Sequence, residues 1–137
     1  MIAIDATVAA KWCLNEAGSR QALALIVGSR DPLVAPDLIQ LEVAGAITRR
    51  HRMGGLNRAE AEMLISDWKR DLDLGRVTLE SRQELFEDGV DLALSIAHGL
   101  VDCLYLACAM RLGVPLLTSD EKLLRRGSIA YGAIKLL

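Results

Sequence analysis

Four carboxylates stand where this sequence is otherwise apolar: Asp5, Glu42, Asp102 and Asp120. Asp5 ends the run Met-Ile-Ala-Ile at the start of the chain, and Asp120 follows Pro-Leu-Leu-Thr-Ser. Glu42 falls on the apolar stripe of a helical pattern, three and four residues from Leu38, Ile39, Gly45 and Ala46. Asp102 is the one charge in a stretch that reads apolar on every side, the pattern of a central helix. A buried carboxylate costs several kcal/mol unless something compensates it. If the fold gathers the four, a divalent cation is the simplest compensation, and the chemistry is metal-assisted hydrolysis. Oxygen-only donors, with no His or Cys at metal spacing, point to Mg²⁺ or Mn²⁺ and away from zinc.

Each acid also has a plainer reading. Asp5 and Asp120 suit helix N-caps. Glu42 suits a buried ion pair with an arginine, and Asp102 an acid that complements a helix dipole in the first turn. Taken singly, the cap is the better reading of Asp120. It is the set of four in one small domain that favours a metal.

The elements that must position these acids follow from the hydropathy pattern. Short apolar runs alternate with longer helical patterns, which is how βαβ units and a parallel sheet read. Strands are predicted at 2–5, 33–35, 77–80, 115–118 and 131–135, and helices at 7–14, 18–29, 37–53, 57–73, 82–97, 101–112 and 120–125. Pro36-Asp37 is predicted to open a helix that Gly54-Gly55 closes. Asn57 with Glu60 has the spacing of a capping box, and Gly99 and Gly113 bracket the apolar helix. In such a sheet, sites form beyond the carboxyl ends of the strands, where the strand order switches. Asp5 and Asp120 share one crevice there if the first and fourth strands are neighbours.

The 137 residues fit one domain, and 52% hydrophobic with 25% charged residues describes a globular chain. Net charge is −2, so no uniformly basic surface for nucleic acid is present. The charge is uneven, however. Residues 60–91 hold ten of the eighteen acids and four of the sixteen Lys and Arg, leaving twelve basic residues against eight acids elsewhere. Four of those eight are the candidate ligands, so a metal-bound face around them would be positive. Cys13, Cys103 and Cys108 lie in apolar stretches without a CxxC pattern and read as buried thiols in a reducing compartment. No signal peptide or membrane-spanning run is evident, and a cytoplasmic location is expected.

The chain resembles PIN-domain ribonucleases of the VapC-type toxin class along essentially its whole length. The resemblance is carried by Ile2 to Trp12, Ala35 to Ala44, His98 to Ala109 and Pro115 to Asp120, with all four acids in the family's order and spacing. It implies a three-layer α/β/α fold with a central, mostly parallel sheet, forming one nuclease domain over 1–137. It implies Mg²⁺ or Mn²⁺ held by Asp5, Glu42, Asp102 and Asp120, with Thr7, Thr118 or Ser119 positioning water or phosphate. It further implies an RNA substrate, a cognate antitoxin and a homodimer. The sequence departs from some relatives at Lys122, where they carry a further acid, and at Val101, where an aromatic is common.

On this reading Asp5, Asp102 and Asp120 hold the metal directly or through water, and Glu42 binds it or orients the attacking water. His51 and His98 sit in no recognisable triad; His98 reads as structural and His51 as part of a solvated basic helix end. The basic residues Lys11, Arg49 to Arg52, Arg125 and Arg126 read as solvated surface that phosphates can also contact. Trp12 and Trp68 are candidates for a self-associating surface or for the core. Two rivals stay open: a phosphotransferase or dehalogenase with Asp5 as nucleophile, and a non-catalytic binding module in which the acids are caps and buried pairs.

Overall fold

A computed structural model describes residues 1–137, the side chain of Ile26 excepted. Five short strands form the sheet: β1 (Ile2–Ile4), β2 (Leu33–Pro36), β3 (Val77–Glu80), β4 (Leu116–Thr118) and β5 (Ile134–Leu136). Seven helices flank it: α1 (Ala6–Cys13), α2 (Ser19–Gly28), α3 (Ile39–Arg52), α4 (Arg58–Asp73), α5 (Arg82–Ile96), α6 (Leu100–Leu112) and α7 (Glu121–Gly127). The strand order is β3-β2-β1-β4-β5 and every pairing is parallel. The expected three-layer α/β/α architecture is what the chain adopts.

β1 and β4 are neighbours, with Ala3 opposite Leu116 and Ile4 opposite Leu117. The chain lays β2 and β3 on one side of β1, and β4 and β5 on the other. The switch point therefore lies between β1 and β4. Because all strands run the same way, their carboxyl ends share one edge, and Asp5 and Asp120 follow directly from two of them.

The core explains why the strands can be so short. All four residues of β2 are buried, as expected for a parallel strand covered on both faces. On α6, every residue from Cys103 to Ala109 is buried, so this helix is apolar all round because it is central. It packs closely on α5: a Cβ on Gly89 would sit 2.7 Å from Leu104 Cδ2. Gly113, at φ 66°, ends α6 in the left-handed conformation that favours glycine. Asn57 and Glu60 close the predicted capping box at the start of α4.

Two local expectations are corrected. β5 begins at Ile134, not at 131, because Tyr131 is used otherwise: its hydroxyl donates to the Val114 carbonyl. α3 begins at Ile39, not at 37, because Asp37 does not cap it. The Asp37 carboxylate instead accepts from the Arg82 backbone N–H and guanidinium at the start of α5. Trp12 and Trp68 meet edge to face at 5.3 Å, Trp68 buried and Trp12 half-buried against the core, which is one of the two readings their sequence left open.

The three cysteines are free, as expected. Burial pushes the thiols of Cys13 and Cys108 up to about 12 and that of Cys103 to about 11. No single helix is long and apolar enough to cross a membrane.

Since α6 carries both the core and Asp102, a void beneath it is costly. Leu106→Ala, at a fully buried position, is expected to lower stability by about 2–5 kcal/mol. Urea unfolding with an unchanged slope is the check, and a loss well under 1 kcal/mol would contradict the central place of this helix.

Candidate active site

Asp5 leaves the end of β1 and caps α1. Its Oδ1 accepts from the Val8 backbone N–H at 3.1 Å and from the Thr7 hydroxyl at 2.6 Å. Its Oδ2 accepts from the Thr118 hydroxyl at the end of β4. The two turns are joined again by Ser119 N–H donating to Thr7 Oγ1, and within the second turn Asp120 N–H donates to Thr118 Oγ1, each at 2.9 Å. The carboxylate is 3% exposed. Burial raises its pKa above the ordinary carboxylate value, while the Thr118, Thr7 and Val8 bonds pull it down in part. The charge of Asp102 then pushes it up further.

Glu42 lies in the first turn of α3 and is half-buried. Its Oε2 accepts from the Tyr105 hydroxyl at 2.5 Å. Burial raises its pKa, the Tyr105 bond lowers it, and the charges of Asp102 and Asp5 raise it again. Asp102 occupies the first turn of α6 and is partly exposed, its Oδ2 meeting His98 Nε2 at 2.8 Å. The three acids thus stand close enough to oppose one another's charge, although they come from segments almost a hundred residues apart.

Asp120 is placed differently. It is the N-cap of α7, with Oδ1 accepting from the Lys122 and Leu123 backbone N–H groups at 2.8 and 3.2 Å. It shares with Glu42 a cleft of about 910 Å³, whose wall also includes Thr7 and Ser119 but neither Asp5 nor Asp102. Lys11, Arg49, Arg50 and Lys122 line the same cleft. Two of these cations are committed to Glu16: Arg50 lies 2.9 Å and Lys11 3.4 Å from its carboxylate. Ala6, Ala10, Gly45 and Ala46 contribute small surfaces to the cleft.

Among the described residues, Asp5, Glu42 and Asp120 make no ion pair, and Asp102 meets only His98. A like-charged carboxylate cluster without a Lys or Arg partner, two members of it raised by burial, fits a hard divalent cation in its donor chemistry. Among the described residues no group of three His, Cys, Asp or Glu side chains is arranged to hold an ion. The geometry speaks against an Asp5 nucleophile, because both its oxygens accept hydrogen bonds and the group is buried.

Two residues escaped the sequence reading. Tyr105 looked like one more apolar position on α6, and only the tertiary fold brings Glu42 to its hydroxyl. His98 lies before Gly99, the N-cap of α6, so it is outside the helix and only the fold brings its ring to Asp102. His51, by contrast, is exposed in the basic last turn of α3, as expected, with its Nδ1 2.8 Å from the Leu56 carbonyl.

The sequence matches the PIN domain family over residues 2–128. Among solved structures, the fold is similar to the crystal structure of Mycobacterium tuberculosis VapC20, a sarcin–ricin loop cleaving toxin. The TM-score is 0.67 at 18% identity, covering 93% of this chain and 95% of that one. At that identity the likeness speaks for the fold. No curated protein matches the chain.

The raised pKa of Asp5 has a consequence for stability. Its folded value lies above the ordinary 3.8, so the folded state holds the proton more tightly than the unfolded one. Stability is therefore lost as pH rises from the ordinary value through the folded one. Asp5→Asn, measured in EDTA, is expected to be more stable than the wild type at pH 7. The gap should close as the pH is lowered toward the ordinary Asp value. A variant less stable at neutral pH, or a gap that widens in acid, would contradict the assignment.

Proposed function

The chain belongs to the PIN domain family, and from that premise we propose that it is a Mg²⁺- or Mn²⁺-dependent endoribonuclease, the toxin of a toxin–antitoxin pair. The observation that carries the reading is the mutual opposition of Asp5, Glu42 and Asp102 at the carboxyl edge of the sheet, with no cationic side chain to relieve it. Three such charges are expensive to keep together unless a metal is their partner.

In this reading Asp5, Glu42 and Asp102 hold the ion, and Asp120 completes the set from the neighbouring turn, directly or through water. When bound, the ion supplies charge neutralisation and an acidified water for attack on phosphorus. Asp5 is held by Thr7 and Thr118, so it is a fixed point about which the site is built. Thr7 is exposed at the cleft, and its hydroxyl already spends its proton on Asp5. Its role toward substrate is thus as an acceptor or through a bound water. Ser119 Oγ is buried without a hydrogen-bond partner among the described residues, which leaves a donor available beside Asp120.

RNA is the proposed substrate. The basic lining of the cleft suits contacts to backbone phosphates, which position a strand without reading its sequence. Arg49 and Lys122 are the side chains to reach it, as Lys11 and Arg50 are held by Glu16. The VapC20 likeness lends support through that protein's own cleavage of the sarcin–ricin loop. A cognate antitoxin covering the cleft, a homodimer and a cytoplasmic location complete the proposal.

Purified wild type should cleave RNA with Mg²⁺ or Mn²⁺ and not in EDTA. Asp5→Asn and Asp102→Asn should each lower the rate about a hundredfold or more, the scale of removing a group that acts in the transition state, with circular dichroism unchanged. Cleavage in EDTA, or an Asp5→Asn enzyme at the wild-type rate, would overturn the reading. Tight Mn²⁺ binding with no cleavage of structured or single-stranded RNA would favour a binding module instead.

A further inference from the structure

Lys11 and Arg50, two of the four cations that line the cleft, are seated by contacts that involve no charge. Lys11 lies in the last turn of α1, and its Nζ donates to the Ala17 carbonyl at 2.8 Å. Its stem lies against Gly18, where a Cβ would stand 3.0 Å from Lys11 Cδ and φ is 88°. Arg50 lies in the last turn of α3 with its stem against Gly55, where a Cβ would stand 2.5 Å from Arg50 Cδ. A single carboxylate bridges the two charged heads. Glu16 Oε1 lies 3.4 Å from Lys11 Nζ, and Oε2 lies 2.9 Å from an Arg50 guanidinium nitrogen. Glu16 lines the same cleft as Glu42 and Asp120.

We infer that Lys11 and Arg50 form a phosphate subsite of the cleft and that Glu16 is its resident anion, so that a generic RNA strand is held by Arg49 and Lys122 alone. This rests on the RNA reading above.

A guanidinium and an ammonium aimed at one anion suit phosphate oxygens as well as carboxylate oxygens: the first offers a planar fork, the second a point charge. Their donors are not exhausted. Among the described residues the Arg50 guanidinium makes one hydrogen bond, to Glu16, although the group carries five N–H donors. Lys11 makes two, to Glu16 and Ala17, and an ammonium carries three. Because glycine backbone and the Ala17 carbonyl seat the stems, both cations keep their places when the carboxylate leaves.

Two features let Glu16 hold the subsite against a strand. The first is its tether. The Glu16 N–H donates to Ser19 Oγ at 2.9 Å, and that hydroxyl donates to the Leu14 carbonyl at 2.6 Å. The loop thus presents the carboxylate at a high effective concentration, which a phosphate from solution must exceed. The second is partial burial. The side chains of Lys11, Glu16 and Arg50 are 19%, 30% and 35% exposed, so salt screens their attraction less than it would at an open surface. Arg49 and Lys122, by contrast, make no ion pair among the described residues. The competing role for Glu16 is a plain tie between the α1–α2 loop and α3. Cutting a tie lowers stability and gives RNA nothing, whereas removing a resident anion opens a contact.

The test is binding of a fluorescent, mixed-sequence single-stranded RNA to the intact protein, read by anisotropy over a range of salt. EDTA is present throughout, so no metal takes part. Wild type is compared with Glu16→Gln, Glu121→Gln, and Glu16→Gln combined with Lys11→Gln or Arg50→Gln. Glu121 lines the same cleft without an ion pair among the described residues, so its variant makes the same change of charge and releases no cation. Glu16→Gln should bind severalfold tighter than both wild type and Glu121→Gln. Its log–log salt dependence should steepen by about 0.7, the increment for one further phosphate on a single strand. Adding Lys11→Gln or Arg50→Gln should remove the gain. In the wild-type background Lys11→Gln should leave binding nearly unchanged while Lys122→Gln weakens it, and this arm decides alone if Glu16→Gln unfolds. A Glu16→Gln protein that binds no tighter than Glu121→Gln would overturn the inference. So would a gain that survives the second substitution, or a Lys11→Gln loss as large as that of Lys122→Gln. Absence of RNA binding by every one of these proteins would instead remove the RNA reading, and the subsite with it.

Discussion

The buried carboxylate of Asp5 is the constraint from which the rest of the site follows. It stands at the point where strand order switches, and it receives hydroxyl protons from both neighbouring turns: Thr7 after β1 and Thr118 at the end of β4. The bond from Ser119 N–H to Thr7 ties the same two turns a second time, and that from Asp120 N–H to Thr118 holds Asp120 to the residue that bonds Asp5. Asp120 therefore owes its place to Asp5. A shift of β4 against β1 by one residue would break this lattice and reverse which face each side chain meets. Sheet register and site geometry are one constraint here.

That arrangement opposes stability. Burial disfavours the Asp5 charge, and Asp102 adds to the penalty, with Glu42 in a similar position. The hydroxyl and backbone donors offset only part of it. A fold of this size tolerates such a cluster because the load is carried elsewhere, in β2 and the central segment of α6, where apolar residues are buried without interruption. Concentrated strain of this kind beside a large apolar core is what a functional site on a stable scaffold looks like.

Most of the scaffold was legible in the sequence because its signals are local. Gly99 and Gly113 bracket α6, Asn57 and Glu60 open α4, and the all-round apolar pattern marked α6 as central before its neighbours were known. The site was legible through misfit: a Glu on an apolar stripe and an Asp in an apolar helix. What stayed hidden depends on partners distant in sequence. Asp37 looked like a cap because Arg82 could not be foreseen beside it. The start of β5 was misjudged because Tyr131 turns back to Val114. Tyr105 passed for core because its one polar atom acts on a residue 63 positions away. Asp120 was both things that the sequence allowed, a helix cap by one oxygen and a cleft residue by position.

The same logic explains why so much of the chemistry converges on α6. A helix buried on all sides has little freedom to slide, since Gly89 and Leu104 already set its distance from α5. Whatever it carries is held in place. Asp102 sits in its first turn, where it leaves the core and is partly exposed, and Tyr105 one turn later reaches across to α3 and Glu42. The separation between these two acids is thus set by core packing and not by a loop. Loops can bring acids together, but they cannot hold repelling charges at a fixed spacing without help. By mounting one acid on the most buried helix and steering the second from it, the fold lets apolar packing resist the electrostatic repulsion of the site.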